Sequence, residues 1–132
     1  MSGDINERNS RSKEDSIIAK KSYVFALEII KTYKFLNEQK EYILSKQILR
    51  SGTSIGANVN ESIAAVSKKD FVNKLGIALK EARETSYWLN LLKDSNYIEE
   101  SKFINLNKDC EELVKILNSI ILTMNQKYLN NS

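Results

Sequence analysis

The side chains best suited to chemistry in this 132-residue chain are carboxylates: Glu81 and Glu84 stand three positions apart, with Glu61 upstream of them. On a helix an E-x-x-E pair projects to one side, and together with Glu61 it offers the oxygen ligands of a carboxylate metal enzyme. Helix-bundle di-iron sites, however, complete their ligand set with Glu-x-x-His, and the chain contains no histidine. The same absence removes histidine-based triads and histidine-ligated zinc. The single cysteine, Cys110, falls at a core spacing and reads as a small hydrophobe. It leaves no intrachain disulfide, as suits a reducing compartment. No glycine-rich phosphate loop or nucleophile elbow occurs. The expectation is a protein without catalytic residues, metal or cofactor.

The remaining conspicuous groups suit binding. Arg50 and Glu84, like Glu61 and Lys74, are candidates for pairing between helices; alternatively Arg50, Glu81 and Glu84 bridge subunits, where a bidentate arginine fixes geometry. Tyr87 and Trp88 are adjacent, so they point to different sides of a helix and read first as packing residues. Stacking on a nucleobase would require a basic groove around them. Lys68, Lys69, Lys74, Lys80 and Arg83 are the candidate nucleic-acid contacts, although Asp70, Glu81 and Glu84 interleave with them and a solvated helix face is the plainer reading. A net charge of +3 is mild for a dedicated nucleic-acid binder.

These groups must be positioned by helices. Proline is absent, glycine occurs four times, and 42% of residues are hydrophobic against 28% charged, which favours one globular, helical domain. Residues 1–14 are polar and aperiodic and read as a flexible tail ahead of a domain over 15–132. A first helix, about 16–37, repeats Ile18, Phe25, Ile29 and Leu36; a second, about 41–66, aligns Leu44, Ile48, Ile55, Val59 and Val66. The third carries Phe71, Leu75, Ala78, Ala82, Thr85, Leu89 and Leu92 at heptad-like spacing, with Ser67 as its cap. The fourth, about 101–128, carries Phe103, Leu106, Cys110, Leu113, Leu117, Ile120 and Met124 after a turn at Ser95-Asn96. Short connections force successive helices antiparallel, so the predicted fold is an all-α, up-down-up-down four-helix bundle. No apolar run is long enough to span a bilayer and the N-terminus has no apolar leader, so the expected address is cytoplasmic. No small-molecule substrate is evident.

With helices two and three antiparallel about Ser67, positions summing to roughly 134 lie level. Arg50 then falls near Glu84, Glu61 near Lys74, Gly52 beside Ala82 and Asn58 beside Gly76. On this reading the glycines serve a close seam between helices two and three, and Gly52→Leu sharply destabilises the fold.

The first helix also carries Ile17, Val24, Leu27 and Phe35, and the fourth Ile104, Val114, Ile121 and Leu122, beyond one core stripe. Self-association is one explanation; a stripe that buries more widely than a strict heptad is the other.

The stretch RSGTSIGANVNES and the later FVNKLGIALKEARETSYWL match R-x-x-x-S-I-x-A-N-x-x-E, at Arg50, Ser54, Ile55, Ala57, Asn58 and Glu61, and K-E-A-x-E-x-x-Y-W-L, from Lys80 to Leu89. In these strings the chain resembles the four-helix bundle proteins encoded within intervening sequences of bacterial 23S rRNA genes. That family is related in fold to the accessory variability determinant of diversity-generating retroelements. The resemblance implies a ring-shaped homopentamer with no established enzymatic activity. It also implies RNA or DNA as a partner and, on the retroelement side, a reverse transcriptase; a pure protein-protein scaffold is the remaining alternative.

Overall fold

A computed structural model describes residues 2–129, with side chains for 13–128. Four α-helices succeed one another: α1 (Ser2–Glu38), α2 (Leu44–Ile63), α3 (Lys68–Asp94) and α4 (Glu100–Met124), closed by a π-helical turn at Asn125–Leu129. No strand occurs among the described residues. Each helix packs on its sequence neighbours, and α4 returns to α1, so the four surround one core.

The backbone of α1 is helical from Ser2, through the stretch that the sequence marks as an aperiodic tail. Among its described side chains, the first in the core is Ile18, followed by Phe25, Ile29 and Leu36, all buried. These buried residues follow the apolar periodicity, since an amphipathic stripe, not helical propensity, ties a helix to a core. From α3 the core receives all seven heptad residues expected of it, Phe71 through Leu92. α4 contributes Leu106, Cys110, Leu113, Leu117, Ile120 and Met124, with Phe103 partly buried beside them. Val66 departs from expectation: it is 96% exposed, because α2 stops at Ile63 and Val66 lies in the connection.

The helix ends explain the short connections. α1 and α3 finish alike: the amide of Glu41 donates to Leu36 O at 2.9 Å and that of Lys40 to Asn37 O, while Tyr97 donates to Leu92 O and Asn96 to Lys93 O. This crossed pair of bonds places Lys40 and Asn96 in the left-handed region, both at φ 63°. Asparagine is at ease there; lysine is less so. The turn expected at Ser95-Asn96 is thus built around Asn96. Glu41, buried, then opens α2 by accepting from the amides of Ser45 (2.7 Å) and Ile43 (3.3 Å). Ser67 Oγ accepts from the Asp70 amide at 3.0 Å and opens α3 as the sequence predicts.

The glycines of α2 face a different neighbour from the one expected. A Cβ on Gly52 would stand 2.7 Å from Ile29 Cγ1, and one on Gly56 would stand 3.3 Å from Ser22 O. Both contacts are with α1, so the small residues seat α1 on α2 and not α2 on α3. The reason is angular: Arg50 and Gly52 are two residues apart, about 200° around a helix, so a helix that turns Arg50 toward α3 turns Gly52 away from it. Gly76 is not covered by Asn58 either, because nothing lies within 4 Å of where its Cβ would be.

Candidate functional site

Arg50, Ser54, Asn58 and Glu61 of the α2 motif recur at spacings of four, four and three, and so share one flank of the helix. That flank meets α3. Arg50 Nη2 donates to Glu84 Oε2 at 2.6 Å while Arg50 Nη1 lies 3.7 Å from Glu81 Oε2. Farther along, Lys74 Nζ lies 3.1 Å from Glu61 Oε2. Both interhelix ion pairs anticipated from the antiparallel register are therefore present. Between them and the core, the buried hydroxyls of Ser51 and Thr85 share a hydrogen bond at 2.9 Å, and Thr85 Oγ1 also reaches Glu81 O at 2.8 Å. Ser54 and Asn58 turn inward along their own helix: Ser54 Oγ donates to Arg50 O, and Asn58 Nδ2 to Ser54 O. Of the other motif positions, Ile55 is fully buried and Ala57 is exposed.

The electrostatics of this seam are unequal. Glu84 is partly open and directly bonded, whereas the Glu81 side chain is 15% exposed. Burial pushes the Glu81 carboxyl above its ordinary value; attraction to Arg50 offsets part of that rise, and the like charge of Glu84 adds to it. Glu81 Oε2 has no hydrogen-bond partner, and neither has the buried Trp88 Nε1 two helical turns further on. Arg50 thus serves two carboxylates with one guanidinium, well matched to one of them. Glu61 stands with Lys74, apart from Glu81 and Glu84, so the three carboxylates that the sequence offers as a metal set do not converge. Among the described residues no group of three or more His, Cys, Asp or Glu side chains is placed to hold a metal ion.

Tyr87 and Trp88 split as adjacency requires. Trp88 packs partly buried against the core, Tyr87 is 58% exposed, and the two rings meet edge-on at 5.1 Å. Cys110 is a core residue whose thiol lies 3.2 Å from Ala82 O and is pushed up to about 12 by burial, too high to ionise at neutral pH.

The five basic candidates do not form one patch. Lys74 is committed to Glu61, and Lys68 Nζ sits 3.9 Å over the Tyr128 ring. Lys69, Lys80 and Arg83 remain exposed and make no ion pair among the described residues. On the opposite side of the molecule, Lys21–Glu112 (2.6 Å) and Lys102–Glu28 (3.6 Å) tie α1 to α4. Beside this seam Ile17, Val24 and Phe35 stay between 44% and 49% exposed, with Leu27 further round α1. A groove of about 440 Å³ runs there, lined by Ile17, Val24 and Leu113 with Lys20, Asp109 and Glu112. No helix among the described residues is long and apolar enough to cross a membrane.

Four antiparallel helices with a polar seam between the second and third, and with an apolar flank left open on the first, define an all-α, four-helix protein. The chain belongs to the 23S rRNA-intervening sequence protein family, whose sequence profile matches residues 14–119. It is similar to a crystal structure of a protein of unknown function from the S23 ribosomal protein family of Bacteroides thetaiotaomicron. The two are 55% identical with a TM-score of 0.81, over 83% of this chain and 98% of that one. No curated protein matches the chain. The family expected from Arg50–Glu61 and Lys80–Leu89 is the one found, and the expected all-α, four-helix architecture is present.

Proposed function

We propose that this protein is a non-enzymatic assembly and binding module: several copies close into a ring, five by the family resemblance, and the assembly binds RNA or DNA. The observation that carries the reading is the second apolar flank of α1. Ile17, Val24, Leu27 and Phe35 are each between 44% and 49% exposed on a helix whose other stripe, Ile18 to Leu36, is already fully used in the core. Ile104 and Leu122 on α4 add further exposed apolar area, at 54% and 58%. Apolar area of this extent on a small protein is stabilised by covering it, and a second copy is the partner always present. The sites at hand favour binding over catalysis, because the carboxylates and Arg50 of the α2–α3 seam are spent on one another.

Sedimentation or light scattering at micromolar concentration tests the assembly. The expected mass is a multiple of 15.1 kDa, reduced to a single copy by Val24→Glu combined with Phe35→Glu without loss of helicity. A wild-type chain that stays monomeric would overturn the reading. The nucleic-acid part is tested by titrating labelled RNA and DNA at two salt concentrations, since phosphate-driven binding weakens steeply with salt.

A further inference from the structure

The exposed side of α3 carries three features beyond the stripe it presents to the core. Lys69, Gly76, Lys80, Arg83 and Tyr87 recur at seven, four, three and four residues and so lie along one face of the helix. Lys69, Lys80 and Arg83 are exposed and free of ion pairs among the described residues. Of the acids that interleave with them in sequence, Glu84 and Glu81 turn to Arg50 on the α2 side, while Asp70 stands in the first turn of α3 beside Lys69. Tyr87 holds its ring 58% open at the end of the strip. Gly76 is the third feature. It sits in mid-helix, where glycine is destabilising relative to alanine, yet beyond its own turn of helix nothing among the described residues lies within 4 Å of its Cβ position, so no contact seen there requires it. By contrast Gly52 and Gly56 each have α1 within van der Waals reach.

We infer that this face of α3, from Lys69 to Tyr87, docks a single strand of nucleic acid, with Gly76 leaving the flat place where the strand passes closest to the helix backbone. The inference rests on the nucleic-acid part of the proposed function and narrows it to one surface and one form of ligand. Three cations without an ion-paired carboxylate among the described residues, spread over about 21 Å of helix at ~1.5 Å per residue, match a short run of phosphates better than a compact anion. An open tyrosine ring matches the face of an unpaired base, which a duplex keeps stacked. A folded protein partner would have to supply its own carboxylates at these three positions; a nucleic-acid strand brings one phosphate per residue.

The test is fluorescence anisotropy of the full chain with a labelled single-stranded RNA or DNA dodecamer and with the matching duplex, at low and at moderate salt. Wild type is expected to prefer the single strand and to weaken as salt rises. Lys80→Glu with Arg83→Glu should lower affinity at least tenfold and flatten the salt dependence, and Tyr87→Ala should lower it about fivefold or more. Gly76→Leu leaves charge unchanged and faces open space; it should lower affinity at least fivefold while helicity and sedimentation stay those of wild type. Binding of no oligonucleotide by wild type would overturn this inference and the nucleic-acid reading together. Wild-type binding that survives all three substitutions, or that prefers duplex, would overturn this inference alone.

Discussion

Gly52 lies directly under Ile29: its missing Cβ would be 2.7 Å from Ile29 Cγ1 and 2.8 Å from Cγ2. Ile29 is fully buried, and its branch atoms cannot swing aside as the end of a long side chain would. The distance between α1 and α2 is therefore set by the absence of one methyl group.

Gly52→Ala should accordingly destabilise the fold by about 1–3 kcal/mol through overpacking, outweighing the better helix propensity of alanine. Gly76→Ala, made in the same kind of helical position with open space around it, should stabilise by up to about 1 kcal/mol. Urea unfolding of the two variants beside wild type checks both. Equal shifts would mean that neither glycine is set by its neighbours.

Thr85→Val removes the hydroxyl that bridges α3 to Ser51 while keeping the shape of the side chain. Both residues are fully buried, so Ser51 would be left without its cross-helix partner. The expected cost is about 1–3 kcal/mol. Adding Ser51→Ala should recover part of it, because the stranded polar group is then gone; a strictly additive double variant would argue against coupling between the two hydroxyls.

Glu81 makes the fold sensitive to pH in a defined sense. Its carboxyl is raised above the ordinary 4.5, first by burial. A raised carboxyl favours the fold when protonated, so this contribution is fully present below pH 4.5 and is lost as pH rises through the higher folded value. Glu81→Gln keeps the shape without the charge. It should raise Tm at pH 7, and that gain should shrink as pH is lowered from the raised folded value toward 4.5. A Tm difference independent of pH would show that shape, not charge, separates the two side chains.

The elements and their core were legible because their signals are local. Apolar residues three and four apart mark a buried stripe whatever lies opposite, and Phe71 to Leu92 of α3 could be read to the residue. The exception on α2, Val66, continues the periodicity numerically but falls past the end of the helix, where period has no meaning. The ion pairs Arg50–Glu84 and Lys74–Glu61 were legible too, because an antiparallel hairpin with a short turn fixes which positions are level. The split of the basic residues was not. Lys68 is drawn over Tyr128, sixty positions away in sequence, and no spacing within α3 separates it from Lys69.

By itself, then, the sequence determined that four helices form, where they turn, which stripe of each is buried, and to which family the chain belongs. Tertiary structure decided which flank of each helix meets which neighbour. A helix in a four-membered ring has two neighbours, and a 3.6-residue period marks the inward direction without saying which lies to the left and which to the right. That choice put Gly52 under α1 instead of α3 and left Gly76 open. It also drew Lys68 over Tyr128 while leaving Lys69, Lys80 and Arg83 free to meet something outside the chain.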